Sequence, residues 1–237
     1  MNLRLLAIDP AQYDKVGEDW LNEGGQDTPT RIFLKDILKP VLGDLSGKAV
    51  LDVGCGTGWL SEVIYARGAK CYTGVEPSKT NYKSAKYLHK TASFVNLPFE
   101  KFESKEKYDL ITCIMATEHI DSLDLAFAKW HSLLQSGGRL VIITGDVEAF
   151  SQKKFSYEIN IQKESDEELI IQTIRPTGVD TVDIIRSPRL FINCAKKHGF
   201  RSHKLTPITA NERFMAALPK YELFRSKPIF QLLEFER

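Results

Sequence analysis

A short apolar run that stops on alternating glycines constrains this chain most. Lys48-Ala49-Val50-Leu51-Asp52-Val53 reads as a buried parallel strand. Gly54-Cys55-Gly56-Thr57-Gly58 turns from it into a helical stretch over residues 58–67, with Leu60, Val63 and Ile64 at helical spacing and Gly68 as C-cap. The pattern then repeats. Strands are predicted over residues 70–75, 93–95, 108–114 and 139–144, with helices over 79–89 and 123–134 between them. Strand and helix alternating across short connections build a parallel sheet with right-handed crossovers.

On either side of this core the pattern changes. Residues 13–20 and 30–41 read as two helices separated by Gly24-Gly25. Residues 155–162 and 168–175 alternate apolar and polar positions around the charged turn 163–167, which predicts a β-hairpin. A helix over 188–198 ends at Gly199. Two late strands, 202–206 and 229–235, flank an insertion over 207–228. The 237 residues are read as one domain: an N-terminal helical lid over 1–45, a core over 46–145, and a part over 146–237 that carries specificity and completes the sheet.

Composition narrows the function. Lys and Arg number 32 against 31 Asp and Glu, a formal net charge of +1, which argues against a domain built to grip a phosphate backbone. Short basic pairs such as Lys153-Lys154 and Lys196-Lys197 read as solvated surface. Cys55, Cys71, Cys113 and Cys194 stand singly, without metal-ligand spacing, as in a reduced, cytoplasmic protein. No apolar run reaches membrane-spanning length, and the first eight residues do not make a signal peptide. The expected partner is a small molecule rather than nucleic acid or a bilayer, and the expected state is a monomer or homodimer.

The glycine turn lets a ligand approach the backbone, since no Cβ intervenes. Its spacing is GxGxG, not the GxGxxG of dinucleotide binders or the GxxxxGK[ST] of a P-loop. Asp52, two residues before the first glycine, would repel a pyrophosphate and suits a ligand carrying an amine and a sulfonium. Glu76, expected at an exposed strand end, has the carboxylate geometry to accept both ribose hydroxyls of an adenosine ligand.

Several segments together resemble the class I S-adenosylmethionine-dependent methyltransferases, in particular the ubiquinone-biosynthesis O-methyltransferase branch. They are Leu51-Asp52-Val53-Gly54-Cys55-Gly56-Thr57-Gly58, Gly74-Val75-Glu76-Pro77-Ser78, Tyr108-Asp109-Leu110-Ile111, Glu118-His119-Ile120 and Leu134-Gln135-Ser136-Gly137-Gly138-Arg139-Leu140. The resemblance implies an α/β, Rossmann-like sheet of seven strands, mostly parallel with the last antiparallel, and helices on both faces. It implies S-adenosylmethionine as cofactor and S-adenosylhomocysteine as product. By position, Gly54, Cys55 and Gly56 would underlie the methionine part, Asp52 would face its amine through the loop or a water, and Glu76 with Pro77 would hold the ribose. Ile114 and Met115 would wall the adenine. The relatives' acid after strand three is absent from Asn96-Leu97-Pro98-Phe99-Glu100, so Asn96 or a backbone carbonyl would take the adenine amino group and Phe99 would pack on the ring.

Methyl transfer from a sulfonium needs alignment and exclusion of water, and a base only where the acceptor is protonated. His119 is the candidate base, with a packed turn residue as the alternative reading. In the resembled branch a glutamate three residues before the Glu-His pair helps to bind a divalent metal. Met115 stands there, so no metal is expected. Tyr13, Trp20 and Arg31 belong to a lid folded over the cofactor, with Tyr13 a candidate cofactor contact and Arg31 a candidate partner for the methionine carboxylate; two helices packed on the sheet are the equal alternative. Arg175, Arg186 and Tyr221 are candidate substrate contacts, with plain surface positions as the default. A cofactor-binding but catalytically silent domain remains as a second class, and a nicotinamide-dependent dehydrogenase is disfavoured by Asp52 and the loop spacing.

Overall fold

A computed structural model describes residues 2–14, 27–152, 158–174 and 180–237. Trp20, Gly24, Gly25, Lys153, Lys154, Phe155 and Arg175, all named above, lie outside the described residues.

The parallel core forms as the periodicity predicts. Strands β1 (Ala49–Val53), β2 (Cys71–Val75), β3 (Ser93–Val95), β4 (Tyr108–Ile114) and β5 (Leu134–Gly145) pair in parallel in the order β3-β2-β1-β4-β5. Helices α3 (Leu60–Tyr65), α4 (Lys79–Leu88) and α5 (Leu123–Leu133) connect them. Successive strand residues face opposite sides: Val50 joins the core beneath α2 (Pro29–Leu42), and Leu51 joins the core that holds Phe127, Trp130 and Phe191. Strand β10 (Pro228–Glu236) lies antiparallel to β5 and to the edge strand β9 (Ser202–Thr209), which completes seven strands with the last one antiparallel.

Helix α2 starts where its chemistry dictates. Thr28 accepts from the Arg31 N–H through Oγ1 (3.3 Å), Pro29 takes the first turn, and Phe33, Leu34, Leu38 and Leu42 bury one face. The insertion before β10 packs on this helix. It holds α8 (Glu212–Ala217) and a 3₁₀ turn (Pro219–Phe224), and Phe214 stacks on Phe33 at 4.3 Å.

The predicted hairpin forms as the antiparallel pair β6 (Glu158–Lys163) and β7 (Glu168–Ile174), and a strand the sequence reading did not place, β8 (Thr181–Arg186), extends it to three antiparallel strands. β8 precedes α7 (Pro188–Lys197), and α6 (Val147–Ser151) precedes β6. A short N-terminal helix α1 (Leu3–Ala7), absent from the sequence reading, buries Ala7 against Ile170, Val182 and Ile184 of the small sheet. Residues 11–14 are also helical. The ends of β1, β2, β4 and β5 share one edge of the large sheet, on either side of the β1/β4 switch point where open α/β sheets place ligands.

Candidate active site

The glycine loop leaves β1 folded toward β2. The N–H groups of Gly54 and Cys55 both donate to the Val75 carbonyl, at 2.8 and 3.2 Å. Gly54 has φ of +69°, and a Cβ there would lie 2.3 Å from Ala116 Cβ, so this glycine is a packing necessity between the loop and the end of β4. Gly56 differs: its φ is +56°, and nothing lies within 4 Å of the place its Cβ would occupy. The open side of the loop is therefore at Gly56. Cys55 is turned away from it. Its side chain is buried in the core, against the spot where a Gly74 Cβ would sit 2.6 Å from Sγ, so only its backbone is offered to a ligand.

Glu76 closes the far side of this opening. It was expected to be exposed and is instead 5% exposed. Its Oε2 accepts from the Gly56 N–H (2.8 Å), its Oε1 accepts from the Ser78 N–H (3.0 Å), and the Asn81 side chain adds a third hydrogen bond. Burial nevertheless pushes its pKa up to about 7. Asn96 Nδ2 donates to the carbonyls of Glu76 (2.8 Å) and Pro77 (3.0 Å), so its amide braces the end of β2. Asp14 reaches the same turn from the N-terminal segment: Ser78 Oγ donates to it at 2.7 Å and the Thr80 N–H at 3.2 Å.

Asp52 lies beneath the loop, not beside its opening. Tyr72 donates to one of its oxygens (2.6 Å) and Thr112 to the other (2.7 Å), and it is 3% exposed. Burial raises its pKa to about 6. Any action on a ligand is by field through the loop, not by contact.

The end of β4 builds the opposite wall. Ile114 is buried, and Met115 takes the left-handed region at φ of +53° while its N–H donates to the Ile143 carbonyl (2.7 Å). For a residue with a long side chain that conformation is strained, a feature often found at functional sites. It swings Ala116 against Gly54 and sends the chain into the turn at residues 117–119. Glu118 points inward, where its Oε1 accepts from Thr144 Oγ1 (2.8 Å) and from the Gly145 N–H (2.9 Å).

His119 points the other way. Its Nδ1 lies 3.0 Å from the Ala7 carbonyl, its Nε2 is hydrogen-bonded to the Tyr13 hydroxyl, and Asp183 Oδ1 is 3.5 Å from Nε2. Burial lowers the His119 pKa. The residues that the resemblance aligns with a metal site do not fit a divalent ion. Met115 offers no hard ligand, Glu118 is committed to β5, and no group of three potential ligands occurs among the described residues.

Other expected contacts lie elsewhere. Phe99 is stacked on Trp130 at 5.7 Å inside the core and is not available as an open face for adenine. Arg186 is neither a substrate contact nor a surface charge. It is 1% exposed, pairs with Glu168 (2.5 Å), and donates to the carbonyls of Thr117, Ile120 and Asp121. Tyr221 packs on Phe214 in the core, 4.9 Å between ring centroids. Arg31 stands in the first turn of α2, and burial lowers its pKa while Asp27 acts in the opposite sense. Sequence reading missed Asp14, Ser78 and Asp183. Asp183 was findable, because Val182 and Ile184 on either side of it are apolar, which marks a strand with Asp183 on its other face.

Comparison with known proteins follows the same lines. A family model described as a methyltransferase domain matches residues 29–205. The chain is 31% identical over 143 residues to a ubiquinone biosynthesis O-methyltransferase of Coxiella burnetii, covering 56% of this chain and 60% of that protein. It is 26% identical over 159 residues to the protein of the same name from Bradyrhizobium sp. (strain ORS 278), covering 58% and 62%. The chain thus matches about three fifths of the length of these curated relatives. Among solved structures, an S-adenosylmethionine dependent methyltransferase from Mesorhizobium loti superposes with a TM-score of 0.66 at 17% identity, over 85% of this chain and 96% of that one. The glycopeptide N-methyltransferase MtfA complexed with S-adenosyl-L-homocysteine gives 0.62 at 14% identity, over 85% and 87%. At these identities the structural likeness is one of fold.

Proposed function

The chain belongs to the methyltransferase-domain family, and from that premise we propose that it moves a methyl group from S-adenosylmethionine to an oxygen of a small-molecule acceptor. The observation that carries the reading is the opening at Gly56 beside Glu76. Here a backbone without side chain and a carboxylate held by two amide N–H groups face the same edge of the sheet. The Glu76 lone pair left over by Gly56, Ser78 and Asn81 accepts a ribose hydroxyl, a pairing that strengthens when the carboxylate is ionised. Asp52, under the loop, favours a cationic ligand and disfavours a pyrophosphate. Arg31 is the candidate for the methionine carboxylate, and Ile114 with Met115 the candidates for the adenine wall.

The bound cofactor supplies a methyl group already activated by a sulfonium, which leaves three roles to the residues. They fix the donor at the loop, align an acceptor in line with it, and keep water out. The N-terminal segment contributes to the exclusion of water. Tyr13 reaches His119 and Asp14 reaches Ser78, so adjacent residues span the edge between β4 and β2. The near balance of charge favours a small metabolite over nucleic acid as acceptor. Oxygen is the preferred atom because the curated relatives are named O-methyltransferases. The test is incubation with methyl-labelled S-adenosylmethionine and a small-molecule extract. Label is expected in a low-molecular-weight ether or ester; label confined to nitrogen, protein or nucleic acid, or no label at all, contradicts the reading.

A further inference from the structure

Tyr13, His119 and Asp183 come from three separate parts of the fold, the N-terminal segment, the turn after β4 and strand β8, and they meet at the edge where the candidate site lies. The Ala7 carbonyl has only lone pairs, so the ring nitrogen 3.0 Å from it, Nδ1, carries the hydrogen. In the neutral ring Nε2 is then the acceptor, and the Tyr13 hydroxyl donates to it. Asp183 Oδ1 lies 3.5 Å from both the Tyr13 oxygen and Nε2. The chain's next residue, Asp14, is tied to Ser78, two positions beyond Glu76, so Tyr13 is held between the cofactor-facing turn and His119. Sequence reading assigned the base role to His119 directly, but the lone pair that would do this work is occupied by Tyr13.

We propose that Tyr13 is the residue that takes the acceptor's proton, with His119 as the relay behind it, and that the acceptor is a phenol or enol. The inference rests on the methyltransferase reading. As the acceptor O–H bond breaks, its proton passes to the Tyr13 oxygen and the Tyr13 proton passes to His119 Nε2. The positive charge lost from the donor sulfur, as its bond to carbon breaks and the oxygen–carbon bond forms, reappears on the imidazolium. Asp183 faces that imidazolium, and the proton later leaves to solvent. Two other charges bear on the ring: Glu118 favours the cation and Arg186 disfavours it. Burial dominates and keeps the resting ring neutral, as a base must be. Such a base is matched to a hydroxyl of phenolic acidity, where the proton is held at about 10, and is far too weak for an alkanol. An amine acceptor offers its own lone pair and does not need the relay.

The test uses the full chain with S-adenosylmethionine and two probes, 4-nitrophenol, which is ionised near neutral pH, and 4-methylphenol, which is not. Tyr13→Phe and His119→Gln should lower turnover of 4-methylphenol by roughly 10²-fold or more and that of 4-nitrophenol by only a few-fold. Calorimetric affinity for S-adenosylhomocysteine should be unchanged in both variants. In the resting protein, nitrogen NMR of labelled histidine should show the Nδ1–H tautomer at His119. Asp183→Asn should lower the pH at which that ring protonates by roughly one unit. Equal losses on both phenols, the Nε2–H tautomer, an unshifted titration, or a wild-type protein that binds S-adenosylhomocysteine yet methylates neither phenol would each overturn the relay. Failure of the wild type to bind S-adenosylhomocysteine would instead overturn the methyltransferase reading beneath it.

Discussion

Gly54 and Gly56 differ by two positions and by what surrounds them, and substitution separates folding from binding. Gly56→Ala places a methyl group in open space at the cost of a left-handed alanine, about 1 kcal/mol. It should leave the protein folded while abolishing measurable S-adenosylhomocysteine binding in calorimetry. Gly54→Ala drives the same methyl into Ala116, so thermal unfolding should show a much larger loss of stability. Glu76→Ala should weaken cofactor binding by about 2 kcal/mol. Because Glu76 is buried on two amide N–H groups, the substitution should also destabilise the ligand-free protein. The pH dependence has a definite sign. Burial raises Glu76 from 4.5 to about 7 and Asp52 from 3.8 to about 6. Folded-state values above the unfolded ones mean that the native protein holds protons the unfolded chain releases. Their contribution is therefore complete below 3.8 and is lost as pH rises through about 6 and then about 7. In urea unfolding, Glu76→Gln should gain on the wild type between pH 4.5 and about 7 and run parallel above; a constant difference would refute the assignment. S-adenosylhomocysteine affinity should rise with pH over the same window, since the ionised carboxylate is the better acceptor.

Among the elements, the parallel strands and α2 were legible because each carries its own period: short apolar runs, the first of them ending on glycine, and a Thr-Pro start before a buried stripe. Strand β8 was not. Asp183 interrupts its apolar run and Arg186 ends it, and charged residues read as surface when considered singly. Arg186 is buried because the carbonyls at the end of the β4 turn and the Glu168 carboxylate need a multivalent donor there, a tertiary requirement with no local sequence period. Arg4 of α1 meets the same Glu168 at 2.6 Å and Asp121 at 2.7 Å, which ties the N-terminus to the turn that carries His119. Arg186→Ala should therefore destabilise the fold by about 3 kcal/mol in denaturant unfolding, since it leaves Glu168 and three carbonyls short of donors. A loss within measurement error would show that the turn holds itself. Phe99 and Tyr221 were misplaced for a related reason: aromatic residues suit ligands and cores equally, and only the three-dimensional neighbours, Trp130 and Phe214, decide.

Over the whole molecule, the seven-stranded order β3-β2-β1-β4-β5-β10-β9 brings the glycine loop, the β2 turn and the β4 turn to one edge. The small sheet and α1 brace the third of these from outside. The motifs on that edge were readable from sequence because close packing at Gly54 and a left-handed backbone at Gly56 call for glycine, and a carboxylate follows at fixed spacing. The N-terminal strap through Tyr13 and Asp14 was visible only as a lid of unknown contacts, since its partners stand more than sixty positions away. If this edge holds S-adenosylmethionine and excludes dinucleotides, isothermal titration calorimetry of the full chain against S-adenosylhomocysteine and against NAD shows it most directly. Saturable binding of S-adenosylhomocysteine, lost in Gly56→Ala, and no binding of NAD are the predicted results; tight binding of NAD with no response to S-adenosylhomocysteine would contradict them.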